Sequence, residues 1–435
     1  METRSNYIDL PMGRGINAYW HPTDHYKTLR FDLVLRHQLR RLDNTRVALI
    51  GRLCERGTST APDMRSLNSY IDDLYGAYFS VDVGHIGDQQ FIHLCLEVLD
   101  ERFVEPPLHS EMLRRAVDFL RRVIADPLLE DDGFKKSYLD QEKRALTLQT
   151  ESLYNDKIAY AQWRCAEEMG RGAAWGLSDM GTPDDLDDIG AGDLWAFHQQ
   201  LLAKNPIDIF VSGYVERDLV LALCEQVVTG PRDASPLPSA PATPFAGDSC
   251  RHLFEFQDIF QGKLVLGYET GIAMRSEGYA AQILFNLMWA SDSQSRLFRR
   301  LREELALCYY IDSHVDSFAG HVYTAVGIDA EDYANVLDEV EAELEAIRRG
   351  GTALSDLENG KKMLKSRLVS MQDDREALMR LHLRGIVAGQ RYEPEQLVQM
   401  VEGVMPEQVC AVAERMKLRA VYFLHGSRDE ERIRA

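Results

Sequence analysis

The proline-rich stretch at 229–248, TGPRDASPLPSAPATPFAGD, constrains what this chain can fold into more than any other feature. Pro231, Pro236, Pro238, Pro241 and Pro244 fall within it, five of the 15 prolines in the chain. Each proline fixes φ and removes a backbone donor, so the segment can join neither a helix nor a central strand. It should run extended over the surface as a linker. It divides the 435 residues into 1–228 and 249–435, each long enough to bury a core of its own.

The two halves share an order of elements. Alternating apolar runs predict strands at 16–20 and 31–38 in the first half, and at 252–257 and 263–270 in the second. Helical periodicity follows at 44–55 and 64–75, matched by 279–290 and 295–307. A strand pair comes next, 78–84 with 90–96 against 309–317 with 321–327. Longer helices at 110–124, 134–153 and 158–169 correspond to 335–349 and 357–385. Each half has a strand near its end, at 207–211 and 420–424. Strands grouped with long helices predict an α+β fold: two tandem domains, each a mostly antiparallel sheet with helices stacked on one face.

Composition narrows the function classes. A hydrophobic share of 45% and a charged share of 27% are those of an ordinary globular protein. The net charge of −20 argues against nucleic acid or an anionic membrane as a partner. No apolar run approaches the ~20 residues of a membrane helix, and the opening METRSNYIDL has no apolar signal-peptide region. The 7 cysteines are scattered, odd in number and without a CxxC pair, which predicts reduced thiols and a cytoplasmic location.

The stretch 295–313, SRLFRRLREELALCYYIDS, reads as a helix that gives way to a strand, with Arg302 at mid-helix and Tyr309 just past its end. It resembles the second-domain signature of the pitrilysin/insulinase family of zinc metallopeptidases, which includes the mitochondrial processing peptidases. The resemblance implies two tandem pitrilysin-type domains and assigns Arg302 and Tyr309 to substrate binding, as donors to a peptide backbone. A guanidinium presents a rigid fork of donors suited to a carbonyl or an oxyanion, and a phenol can donate to the same oxygen. The patterns ERGT…LYGA at 55–77 and NDKIAYA at 155–161 are most similar to YmfF-type, non-catalytic members of that family. One departure is the helix lead-in ASDSQ at 290–294. It has no glycine, whereas the non-catalytic mitochondrial subunit carries a glycine-rich loop.

Catalysis in that family needs the inverted zinc motif H-x-x-E-H, and this chain lacks it. Aligned on Gly57-Thr58, VALIGRLCERGT at 47–58 puts Ala48 and Arg52 where the two histidine ligands belong, and Gly51 at the place of the water-activating glutamate. Aligned on Glu142 and Asn155-Asp156, the further glutamate ligand falls on Gln149. Zinc takes N, S or carboxylate ligands at about 2.0–2.3 Å; a guanidinium and an amide do not replace them. Cys54 and Glu55 are the only nearby alternatives, and adjacent helical residues diverge by about 100°. Other histidines cluster weakly: His21 and His25 flank a turn signal, and His85, His93 and Cys95 sit on facing strands. No other catalytic motif is present, and no metal or catalytic residue is assigned to this chain.

The resemblance thus implies a non-catalytic, substrate-binding subunit of a heterodimeric zinc metallopeptidase acting on peptides or unfolded segments. The first domain (1–228) would hold the degenerate zinc site and the second (249–435) the Arg302–Tyr309 pair. A paralogous partner bearing H-x-x-E-H would supply the zinc, and a homodimer is a further possibility. A scaffold subunit, and a peptide-binding maturation factor without cleavage, stay open as alternatives.

Overall fold

The computed structural model describes residues 7–104, 111–228, 230–238, 245, 247, 249–351 and 354–426. Along the first half run β1 (Ile8–Leu10), β2 (Ile16–Pro22), β3 (Thr28–Gln38), α1 (Asn44–Leu53), α2 (Met64–Asp72), β4 (Tyr78–Ile86) and β5 (Gln89–Leu99). They are followed by α3 (Glu111–Ala125), the short β6 (Leu129–Glu130) and β7 (Gly133–Phe134), α4 (Lys136–Asn155), α5 (Lys157–Met169), α6 (Ala191–Lys204), β8 (Ile207–Gly213) and α7 (Arg217–Val227). The second half has β9 (Arg251–Phe256), β10 (Gly262–Glu269), α8 (Tyr279–Trp289), a π-helix (Phe298–Glu304), β11 (Tyr310–Asp316) and β12 (His321–Ile328). It ends with α9 (Tyr333–Arg348), α10 (Leu354–Met371), α11 (Arg375–Ala388), α12 (Pro394–Glu402), α13 (Pro406–Arg415) and β13 (Lys417–His425).

These elements form two compact units. The first comprises Met1–Thr150 and Leu177–Pro238, the second Glu151–Gly176 and Ser239–Ala435. In the first, six strands lie in the order β1-β2-β8-β3-β5-β4. Only β2 and β8 pair in parallel; the other neighbours are antiparallel. Alternation along β3 decides its two faces. Phe31, Leu33 and Leu35 enter a core with Leu49, Ile50 and Leu53 of α1 and Ala116, Leu120 and Val123 of α3. Arg30, Asp32 and Arg36 point the other way, into a buried polar layer described below.

In the second unit five strands lie in the order β11-β12-β10-β13-β9, with β13 and β9 parallel and the rest antiparallel. One face meets α8 and α9: Trp289 donates its indole N–H to Thr324 Oγ1 at 3.1 Å, and Tyr333 stacks on Phe423. The opposite face is covered by α5, whose Ala161, Cys165 and Met169 pack among Val265, Tyr323, Ala325, Tyr422 and Leu424. The approach is close enough to require Gly267, where a Cβ would stand 2.9 Å from Met169 Cγ. The α+β reading, with two tandem and mostly antiparallel sheets, is thus what the chain adopts. Helices interleaved with the strands of each sheet stack on one face of it, and α5, which precedes the proline-rich stretch, adds cover on the other face of the second sheet.

Local signals explain where helices begin. Asp63 accepts the Ser66 N–H to open α2, Asp156 accepts the Ala159 N–H to open α5, and Asp374 accepts from Glu376 and Ala377 to open α11. The last of these corrects the single helix expected at 357–385: α10 stops at Met371 and Asp374 starts a new helix. The expected helix at 295–307 is also corrected, to the π-helix and its short α-helical lead-in. α6, α7, α12 and α13 were not read from the sequence. The expected helix start at Ser110 lies outside the described residues, as do 229, 239–244, 246 and 248 of the proline-rich stretch. Its described part is irregular and fastened to the first unit: Arg232 donates to the carbonyls of Arg14, Leu202 and Asn205, and Gln89 donates to Pro238 O at 2.9 Å.

Candidate functional site: a filled metal position and an unpaired arginine

Helix α1 carries the positions where the metal motif would stand. Ala48 is buried in the core. Gly51 faces β4 so closely that a Cβ there would lie 2.3 Å from Val83 Cγ2, leaving no room for a glutamate side chain. Arg52 is held by two residues of α4: its Nη2 donates to Gln149 Oε1, and its Nη1 lies 3.5 Å from Glu142 Oε2. Arg56, one turn further along, also bonds Glu142, through Nε and Nη2. The Glu142 side chain is only 4% exposed, and both guanidinium groups face it.

The neighbouring candidate ligands point apart. Burial pushes the Cys54 thiol up to about 12, with the Glu55 charge adding to it. That thiol is therefore neutral at pH 7, in the core, whereas Glu55 is exposed and accepts the Val81 N–H of β4 at 3.3 Å. Among the described residues no three His, Cys, Asp or Glu side chains are grouped as a metal ion requires. The residues present therefore do not fit zinc: Ala48 and Gly51 bear no donor atom, Arg52 is a cation, and the Gln149 amide oxygen is taken by the Arg52 guanidinium.

His93, His85 and His21 each have a polar partner of their own. His93 Nε2 donates to Asp32 Oδ1 at 2.8 Å, and His85 Nδ1 lies 3.2 Å from Asp179 Oδ2. His21, expected beside a turn, sits on β2, which runs through Pro22, and its Nδ1 meets Ser212 Oγ at 3.1 Å. Asp32, fully buried, also accepts from Arg30 Nε and Nη2 at 2.9–3.1 Å. Burial pushes its carboxyl up, but the His93 and Arg30 hydrogen bonds outweigh this and hold it below the usual range. This polar layer was not read from the sequence, although Arg30, Asp32 and Arg36 occupy alternate positions of an otherwise apolar strand.

The second unit holds Arg302 and Tyr309. The helix bearing Arg302 has wide π turns: Leu305 N–H reaches Arg300 O at 3.1 Å, and Leu307 N–H reaches Leu301 O at 2.8 Å. It ends with Ala306 at φ +54°, a left-handed conformation that costs a non-glycine residue about 1 kcal/mol. Wide turns of this kind recur at functional sites. The arginines of this segment differ sharply. Arg296 pairs with Glu343 at 2.7 Å, Arg299 with Asp356 at 3.0 Å and Arg300 with Glu339 at 2.8 Å. Arg302 makes no ion pair among the described residues; it lies exposed, its guanidinium 5.1 Å from the centre of the Phe298 ring.

Tyr309 is 55% exposed, just before β11, and its N–H bonds Gly327 O at 2.8 Å. Its hydroxyl donates to Asp329 at 3.2 Å. That bond pushes the phenol pKa up, so the hydroxyl keeps its proton at neutral pH. No hydrogen bond joins Tyr309 to Arg302. Asp329, which orients the phenol, and Phe298, which lies under the guanidinium, were missed in the sequence because nothing in their local pattern marks them.

Comparison with known proteins bears out the family resemblance. Residues 188–364 match the family described as "Peptidase M16 inactive domain". The chain is 27% identical over 414 residues to the "Probable inactive metalloprotease YmfF" of Bacillus subtilis, covering 95% of this chain and 96% of that protein. Its fold is that of a conserved protein from Enterococcus faecalis, with a TM-score of 0.90 and 27% identity over 98% of this chain and 99% of the other. It also superposes on a peptidase M16 inactive domain from Pseudomonas fluorescens, with a TM-score of 0.77 and 16% identity over 97% and 98% of the two chains.

Proposed function

We propose that this inactive relative of the M16 peptidases is the substrate-holding, non-catalytic subunit of a two-chain zinc metallopeptidase. A paralogous partner carrying H-x-x-E-H supplies the zinc and the general-base glutamate. This chain supplies Arg302 and Tyr309 as donors to the backbone of a peptide or unfolded segment. The observation that carries this reading is the contrast along one segment: Arg296, Arg299 and Arg300 are tied to carboxylates, and Arg302 is exposed with no carboxylate partner among the described residues. An arginine used for packing would be expected to find such a partner among the many acidic groups of a chain with net charge −20. A donor kept available for a carbonyl or an oxyanion would not.

The filled metal position supports the division of labour. With Arg52 tied to Glu142 and Gln149, no ligand set from which to activate water is found among the described residues. The test is turnover of a labelled peptide mixture by an H-x-x-E-H paralogue from the same genome, with and without this chain. The reading predicts little turnover by either protein alone and efficient turnover by the pair. A paralogue equally active without this chain would overturn it.

A further inference from the structure

A pocket of about 70 Å³ lies between the end of α8, the segment that leads into the π-helix, and α10. Leu287 and Met288 of α8 and Met363 of α10 supply its apolar wall. The two helices approach closely there: a Cβ at Gly360 would stand 3.0 Å from Met288 Cγ. A single water needs about 10–15 Å³ of such space, so the pocket admits a group of roughly five heavy atoms.

Ser295 lines the same pocket and is 2% exposed. Its backbone is committed: the N–H bonds Asp292 O at 3.0 Å, and the carbonyl accepts the Arg299 N–H at 3.1 Å. Its hydroxyl has no hydrogen-bond partner among the described residues. A buried hydroxyl left unbonded is unfavourable, so Ser295 is a group that a ligand would satisfy. Gln294 and Asn359 bring exposed side-chain amides to the mouth of the pocket.

The charged side chains around it are closed pairs. Arg296 lies 2.7 Å from Glu343, Arg299 3.0 Å from Asp356 and Arg367 3.2 Å from Asp292, and on α10 Glu358 and Lys361 lie 3.3 Å apart. An added carboxylate would face Asp292 and Asp356, and an added ammonium would face Arg296 and Arg299. The groups left open are neutral, and each can both donate and accept. A primary carboxamide meets that pattern. It pairs with another amide donor to acceptor, its oxygen accepts from a hydroxyl, and a short alkyl stem lies against the apolar wall.

We propose that this pocket binds a primary carboxamide on a two-carbon stem, the side chain of a glutamine, with the Ser295 hydroxyl as its buried hydrogen-bond partner. The inference goes beyond the assignment of Arg302 and does not depend on it. A glutamine within a peptide and free glutamine share this chemistry.

The experiment titrates the full chain with propionamide, propionate and propylammonium, followed by saturation-transfer NMR. Propionamide should bind at least about tenfold tighter than either ion, since each ion meets a like charge of a closed pair. Ser295→Ala should weaken propionamide binding about fivefold, the worth of one neutral hydrogen bond. Without ligand the melting temperature of that variant should not fall, because the hydroxyl has no bond within the chain to lose. Capped glutamine, with an acetylated N-terminus and a methylamide C-terminus, should bind tighter than capped leucine. Capped glutamine tighter than free glutamine identifies a peptide side chain as the source, and the reverse order identifies the free amino acid. No saturable binding of propionamide, equal binding of propionate, or unchanged binding in Ser295→Ala overturns the inference. So does a lower melting temperature in that variant, which would show that the hydroxyl is bonded within the fold.

Discussion

Asp32 keeps its charge inside the first unit because Arg30 and His93 supply donors on two sides of it. Removing one member of a buried pair strands the others, at a cost of roughly 3–5 kcal/mol. Asp32→Asn preserves shape and should therefore destabilise the chain by about that amount at neutral pH, as read by urea unfolding. The pH dependence has a definite sign. The folded-state pKa of Asp32 lies below its ordinary value, so its contribution is complete above the unfolded value of about 3.9 and is lost as pH falls through the folded one. The gap between wild type and Asp32→Asn should narrow below about pH 4; a gap unchanged at pH 3 would show that the carboxylate charge is not what stabilises this layer. Such layers are hard to read in advance. Arg30, Asp32 and Arg36 alternate along β3 as solvent-facing residues would, and only the fold reveals that their face is covered. The identities of Ala48, Gly51, Arg52 and Gln149 need no packing to be read, whereas the partners each of them finds come only from the fold.

At the scale of elements, the approach of α1 to β4 decides whether a zinc site could be built at these positions. Ala48→His, Gly51→Glu, Arg52→His and Gln149→Glu together restore the ligand types. They do not restore the space, since a Cβ at position 51 meets Val83 Cγ2 at 2.3 Å. Removing Arg52 also leaves the buried Glu142 to Arg56 alone. The fourfold variant should hold clearly less than one zinc per chain after dialysis, and adding Val83→Ala should raise the amount. Stoichiometric zinc in the fourfold variant would mean that Val83 yields easily and that side-chain identity alone abolished the site. The strand pairs and most of the long helices were legible from apolar periodicity. The π-helix was not, because its wide turns leave the spacing of Leu297 and Leu301 unchanged; both remain fully buried. The break between α10 and α11 was readable in principle, from an aspartate at a capping position, but an apolar pattern continuing on either side masked it.

At the scale of the whole molecule, the duplicated order of elements and the proline-rich stretch gave the tandem architecture. They did not show that α5 serves the second sheet, because a helix's apolar stripe does not say which sheet it will cover. The chain is therefore more than two halves in series: each half has its own sheet, but the second core is completed by residues that precede the proline-rich stretch. No helix among the described residues is long and apolar enough to cross a membrane. In the proposed division of labour a partner activates water and this chain contacts the substrate.

Arg302 tests that assignment most directly. Peptide turnover by the pair formed with an H-x-x-E-H paralogue should be measured for wild type, Arg302→Ala and Arg299→Ala, each beside its melting temperature. Removing a donor aimed at developing negative charge costs about 10²–10³ in rate in comparable sites. Arg302→Ala should therefore lower turnover strongly while the melting temperature holds, since that side chain has no ion pair to lose. Arg299→Ala, which breaks the pair with Asp356, should leave turnover close to wild type. Unchanged turnover in Arg302→Ala, or a loss that follows a fall in melting temperature, would contradict the account and leave this helix with a packing role only.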